Sequence, residues 1–296
     1  MITVLSGGTG TPKLIQGLMQ VLPQEEITVI VNTAEDMWLP HGHLSPDIDS
    51  VMYTLAGIIN EKTWYGIKND TFKTHEYLVN SPKGEMLKIG DMDRETHVKR
   101  GELLKEGKNL TEATEIISKN MGIGATVLPM TNSEVATVIV TPAGNLNLHE
   151  YLIEHPTEEV KDIYFRGIET ARPTAEAADA LEKADKIIIG PSNPITSILP
   201  IISLNGIRID NAKSVAVSPM IVGKPVSGPA DKFMQAKGFL PDSRGVAEVY
   251  KWVINRLVID ERDIDFKAKR IQIKKTNTLM VSPDSKRALA KFILEI

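Results

Sequence analysis

The chain begins MITVLSGGTGTPKLIQGLMQVL (residues 1–22). Met1 to Leu5 is a short β-branched run that reads as a strand. Ser6 to Lys13 (SGGTGTPK) follows with no spacer, and Leu14 to Leu22 continues at helical spacing. Gly7, Gly8 and Gly10 let the backbone turn its N–H groups toward one point, where an anion can sit. Thr11 suits the N-cap position and Pro12 the first helical residue. The helix then aims its positive end at the same point. Strand, glycine loop and helix together place phosphate chemistry at the first strand-to-helix turn, the ligand edge of an open α/β sheet. The spacing is not GxxxxGK[ST], and Lys13 stands where a dinucleotide fingerprint has its third glycine. A ligand-free tight turn is the competing reading. The density of glycines, hydroxyls and a lysine within residues 6–13 weighs against it.

The rest of the sequence extends that start. Residues 27–31 (ITVIV) form a second apolar run, and Ser45-Pro46 opens a helix predicted to run to about Ile59. Two strand–helix units so close together predict an α/β fold, a doubly wound and mostly parallel Rossmann-like sheet. Between residues 61 and 121 apolar runs are short and charges frequent. This stretch reads as an inserted, mainly helical subdomain or lid, leaving 1–60 and 122–296 as the nucleotide-binding core. Residues 124–128 and 135–140 read as strands, with a hairpin turn at Gly144-Asn145. Strands are also expected at 162–166, 186–189, 214–217 and 257–259. Helices are expected at 174–184, at 246–255 and after Ser282-Pro283.

Composition narrows the function. With 296 residues, 42% hydrophobic and 24% charged, the chain is ordinary for a globular protein. A net charge of −4 argues against a broad nucleic-acid surface, so any basic site is local. With no cysteine, disulfides, thiolate ligands and a thiol nucleophile are excluded. No apolar run reaches membrane-spanning length and the first residues lead straight into a strand, so a cytoplasmic protein without membrane attachment is expected.

Further clusters carry chemistry. Asn32-Thr33-Ala34-Glu35-Asp36 follows the second strand, and Ser45-Pro46-Asp47-Ile48-Asp49 opens a helix. Helix-dipole complementarity accounts for one carboxylate there. Four acids beside a phosphate loop call for an intervening cation, and a magnesium site resolves the repulsion. An acid accepting a proton from an attacking hydroxyl is the alternative. Leu87 to His97 (LKIGDMDRETH) reads on its own as a salt-bridged surface turn. His41, His43, His75 and His97 lack zinc spacing. Gly190 to Ser197 (GPSNPITS) again joins a buried strand to a helix, with Asn193 as cap and Pro194 as first helical residue. Together with the first loop it suggests the two ends of a nucleotide bridging the switch point of the sheet. Ser218 to Lys232 is a long loop in which Lys224 and Lys232 offer charge to a diphosphate.

Taken in order, SGGTGTPK (6–13), NTAED (32–36), SPDID (45–49), LKIGDMDRETH (87–97), GPSNPITS (190–197) and SGPADK (227–232) resemble the 2-phospho-L-lactate transferases of deazaflavin coenzyme biosynthesis. The resemblance implies transfer of a 2-phospholactyl or related three-carbon phospho-acid group from a guanosine diphosphate donor. The acceptor is the terminal ribityl hydroxyl of 7,8-didemethyl-8-hydroxy-5-deazariboflavin, GMP leaves, and the product is the core of coenzyme F-420. It also implies a magnesium requirement and a homodimer. The family's deazaflavin-binding positions fall on Asp49 and Lys88, with Asp91 in the same cluster.

On this reading Gly7, Gly8, Thr9, Gly10, Thr11 and Lys13 hold donor phosphates. Ser192, Asn193 and Thr196 hold the guanosine side, with Lys232 contributing charge. Asp49 orients the hydroxyl, binds magnesium with Asp47, or both, and these two are the catalytic candidates. Asp49→Asn is then expected to cut turnover and leave the fold intact. Met37, Trp38, Trp64 and Met130 are candidates for the flat apolar wall that the deazaflavin ring needs. Two rival readings are a regulatory nucleotide-sugar-binding protein of the wider family and an NAD(P)-dependent oxidoreductase. The acid-and-lysine acceptor clusters weigh against the first, and the incomplete fingerprint against the second.

Overall fold

The computed structural model describes residues 1–81 and 84–296. Seven strands form one sheet: β1 (Ile2–Ser6), β2 (Ile27–Val31), β3 (Thr126–Pro129), β4 (Lys186–Ile189), β5 (Ser214–Val217), β6 (Arg256–Asp260) and β7 (Gln272–Thr276). Every pairing is parallel, and the order is β3-β2-β1-β4-β5-β6-β7. Chain direction across the sheet therefore reverses between β1 and β4. A crevice opens outside the carboxyl ends of the strands at such a reversal.

Side chains alternate across the sheet, and both faces are apolar. Leu5, Ile30, Leu128, Ile187, Ile189, Ala216 and Leu257 belong to one core cluster. Val4, Val29, Val31, Val127, Ile188, Val215 and Val258 belong to the other. Double burial explains why these strands read as unbroken apolar runs. Helices α1 (Gly10–Leu18) and α2 (Pro46–Leu55) cover the second face with the C-terminal helix Pro283–Glu295. Leu14, Ile15 and Leu18 are fully buried there, each worth about 1.5–3 kcal/mol by area removed from water. α1 lies very close to the last helix because Gly17 has no Cβ; one would overlap the Lys286 carbonyl.

Residues 61–121 are largely helical: α3 (Lys73–Val79), α4 (Asp91–Lys105) and α5 (Leu110–Asn120). Leu103, Ala113 and Ile117 are part of the second core cluster. Ala136–Thr141, Gly144–Asn147 and Asp162–Arg166 make a separate antiparallel sheet, and Met37–Leu39 pairs with Gly42–Leu44.

Three local expectations need correction. α1 starts at Gly10, so Thr11 lies inside the helix; Thr9 is the N-cap and its side chain makes no capping bond. α2 ends at Leu55 instead of about Ile59, because Gly57 adopts φ +70° and turns the chain away. The helix expected over 246–255 spans Ser243–Tyr250, with Asp242 capping Arg244 and Gly245 N–H.

Candidate active site

The loops after β1 and β4 meet backbone to backbone at the reversal point. The Ser192 hydroxyl accepts from Gly7 N (3.1 Å) and Thr11 N (3.4 Å) and bonds Thr11 Oγ1 at 2.7 Å. Glycine is required on both sides: a Cβ on Gly10 would overlap the Pro191 carbonyl, and one on Gly190 would overlap the Thr11 side chain. Thr11 and Ser192 therefore stitch the two loops together. Asn193 accepts from Ile195 N and Thr196 N, so its carbonyl oxygen caps the following turn as expected.

A second seam runs through Asn32, at the end of β2. Its amide donates to Asp47 Oδ2 at 2.9 Å and to the Thr196 carbonyl at 3.3 Å, joining α2 to the Gly190–Ser197 loop. The Gly8 backbone also bonds the Asp47 carboxylate. Gly7, Gly8 and Thr11 thus use their amides within the protein, which leaves Thr9 and Gly10 as loop amides outside these contacts.

The acids fall into two groups with opposite electrostatics. Burial raises Asp47 to about 7, against the lowering effect of the Asn32 and Gly8 bonds. Burial also raises Glu35 and Asp36, and each feels the Asp47 charge as well. Asp36 Oδ2 accepts from the Ser45 hydroxyl at 2.6 Å, and Asp36 Oδ1 is buried with no partner among the described residues.

Asp49 is different. Burial opposes its ionisation, but the Arg100 guanidinium and His97 outweigh burial and hold the carboxyl below the usual range. Arg100 is fully buried; one guanidinium nitrogen donates to Asp49 Oδ1, and the other donates to Asp49 Oδ2 (3.2 Å) and to the His43 carbonyl (3.0 Å). His97 Nε2 lies 3.3 Å from Asp49 and 3.2 Å from Asp93, whose other contact is the Tyr53 hydroxyl at 2.8 Å. Burial pulls the His97 imidazole down, yet the two carboxylates carry it up to about 9. Asp47 and Asp49 are two residues apart in sequence and serve separate networks.

The remaining candidates are scattered. Lys88 Nζ stands 4.6 Å from the centre of the Phe72 ring. Asp91 takes the Thr71 hydroxyl and the Lys73 and Thr74 N–H groups, and these bonds hold its carboxyl well below the ordinary range. Lys232 is exposed and donates to the Pro156 carbonyl at 2.9 Å. A cavity of about 590 Å³ opens at the carboxyl end of β2, lined by Asp36, Trp38, His43, Asn132, His149 and Arg166 among others. Met37 also lines it, whereas Met130 is fully buried in the core. Sequence reasoning missed Arg100. A buried arginine at α4 has no motif; the one hint was its place, three residues after His97, on the same helix face.

A seven-stranded parallel sheet with a glycine loop at its reversal point defines a doubly wound α/β protein. The family model described as 2-phospho-L-lactate transferase CofD matches residues 2–294. The 2-phospho-L-lactate transferase of Methanothermobacter thermautotrophicus is 49% identical, covering 99% of this chain and 97% of that protein. The Methanocaldococcus jannaschii protein of the same name is 46% identical, covering 100% and 97%. The chain belongs to the 2-phospho-L-lactate transferase family. A solved member of the UPF0052 family from Bacillus halodurans shares the fold at 16% identity, with a TM-score of 0.64 over 99% of this chain and 98% of that one.

Proposed function

We propose that the protein transfers a 2-phospholactyl, or related three-carbon phospho-acid, group from a guanosine diphosphate donor to the ribityl hydroxyl of 7,8-didemethyl-8-hydroxy-5-deazariboflavin. GMP leaves, and the product is the core of coenzyme F-420. The observation that carries this reading is the family match along residues 2–294. The loop seam at the β1–β4 reversal supports it, because Thr11 and Ser192 satisfy each other and fix the glycine loop, leaving the amides of Thr9 and Gly10 outside the seam for an anion. In the reaction the acceptor oxygen bonds to the phosphorus carrying the lactyl group as the bond to the GMP phosphate breaks, and the hydroxyl proton is released. The protein's task is alignment and charge neutralisation. Thr9 and Gly10 amides with Lys13 hold donor phosphates, and Asp49 and Lys88 hold the deazaflavin acceptor. A homodimer in the cytoplasm completes the proposal.

Magnesium belongs to the same reading, and the residues present fit it at one of the two acid groups. The Asp49 group already carries Arg100 and a cationic His97, so its charge is neutralised. Asp36 and Asp47 offer hard oxygens with elevated pKa values, an orphan oxygen on Asp36, and contact with the glycine loop through Gly8. One or two carboxylates plus substrate phosphates is the usual setting for this ion. When bound, it supplies positive charge against the donor diphosphate.

A carboxylate must lose its proton to bind a cation, so affinity rises with pH through the Asp47 value of about 7 and levels off above it. Calorimetric titration with Mg²⁺ between pH 5.5 and 8.5 should show that rise with proton release, and Asp36→Asn should abolish it. Affinity that is flat over this range, or retained in Asp36→Asn, moves the ion elsewhere. The function itself is tested by mixing protein, Mg²⁺, donor and deazaflavin. GMP release that depends on the acceptor is expected. Donor binding with no GMP formed and no optical response of saturating deazaflavin would leave a binding protein in place of an enzyme.

A further inference from the structure

Lys286 lies in the C-terminal helix, 270 residues from Gln16, yet its ammonium donates to Gln16 Oε1 at 2.6 Å. The residue is only 5% exposed. Its Nζ is 4.8 Å from the centre of the Trp64 ring, and Lys13 Nζ is 5.0 Å from the same centre. The two ammonium groups are therefore less than about 10 Å apart, a separation at which like charges still repel. Burial lowers the proton affinity of Lys13, and the Lys286 charge lowers it further. Compensation is thin. Among the described residues Lys13 has no carboxylate partner, and Lys286 has only Glu61, at 3.5 Å with a largely exposed side chain. The backbone shows the same concentration of effort: Trp64 sits at φ +61°, a region bulky side chains rarely enter, between Gly57 and Gly66, also at positive φ. Lys13 extends from the first turn of α1, where the helix N-terminus adds positive potential. Two cations on one indole ring beside a helix terminus, with one weakly placed acid, call for an anion.

We propose that Lys286 and Lys13 form a two-lysine anion clamp beside the glycine loop that takes the diphosphate of the donor, with Trp64 as the platform on which the ammonium groups rest until the anion arrives. The clamp rests on the donor reading above and adds to it a residue from the opposite end of the chain.

Trp64 reports on the clamp directly. The sequence holds three tryptophans, so Trp38→Phe with Trp252→Phe leaves Trp64 as the sole emitter in the full-length protein. Titration with inorganic diphosphate and with GDP is expected to change that emission as the ammonium groups leave the ring. Lys286→Met keeps the aliphatic stem that packs on Trp64 and is expected to weaken diphosphate binding about tenfold, the loss of one charge-assisted contact. Lys286→Arg restores most of the affinity. Unchanged diphosphate affinity in Lys286→Met, or Trp64 emission indifferent to diphosphate, overturns the clamp. Diphosphate binding that depends on Lys286, with no binding of GDP, upholds the clamp and removes the guanosine donor.

Discussion

Arg100→Met is expected to destabilise the protein by about 3–5 kcal/mol, the range found when one partner of a buried ion pair is removed. Arg100 has no exposed surface, and Asp49 is 3% exposed. With the guanidinium gone, His97, at 3.3 Å, is the one cation left paired with the Asp49 carboxylate among the described residues, and the Asp93 carboxylate shares it. The His43 carbonyl loses its donor too, which loosens the Met37–Leu39 and Gly42–Leu44 hairpin against α4. Asp49→Asn removes the opposite charge and leaves Arg100 buried without its anion, so it falls in the same range. This revises the expectation that Asp49→Asn spares the fold: the residue proposed to face the acceptor is also a structural anion. Urea unfolding of the two single variants and the double variant is the measurement, and the double variant should lose less than the two losses combined. A loss in Arg100→Met below about 1 kcal/mol, the level of an exposed pair, would contradict the buried network. Activity of Asp49→Asn is informative only under conditions where unfolding shows it folded.

Gly10→Ala is expected to lower turnover about 100-fold, the scale of an ångström-sized misplacement of reacting groups. The added methyl would overlap the carbonyl of Pro191, and neither atom belongs to a flexible side chain. The loops must separate, and Thr11 and Ser192 then lose the 2.7 Å bond that sets their spacing. The atoms nearest the new methyl belong to Pro191 and Ser192, past the end of β4, so the cost in stability is that of local overpacking, about 1–3 kcal/mol. Steady-state kinetics beside a urea curve separates the two effects. Wild-type turnover in Gly10→Ala would mean that the seam does not set donor geometry.

Much of the architecture was legible because double burial writes itself into composition. ITVLS, ITVIV, KIII and SVAV can hardly be anything but parallel strands once a glycine loop follows the first. β7 escaped because QIKKT is a half-buried edge strand carrying two lysines, the composition that protects sheet edges. Asp162–Arg166 was recognised as a strand, but its exposed alternate residues and its antiparallel partner put it in the side sheet. The cap at Asn193 and the capping box at Ser282 are local chemistry and were read from a few residues. The helix start at Gly10 was misplaced by two residues because the Thr11 hydroxyl, a natural cap, is drawn instead to a serine 181 residues away.

The sequence by itself determined the strand-to-helix start, the parallel sheet, the family and the clusters from which the site is assembled, since propensity, burial pattern and motif spacing all act over short stretches of chain. Only the tertiary structure decided what those clusters do to one another. It paired Asp49 with Arg100 across 51 residues, assigned Asp47 to Asn32 and the glycine loop, and brought Lys286 to Trp64 and Lys13. Such contacts depend on how helices seat on the sheet, which is set by the packing of the whole core, and no local period or spacing along the chain encodes them.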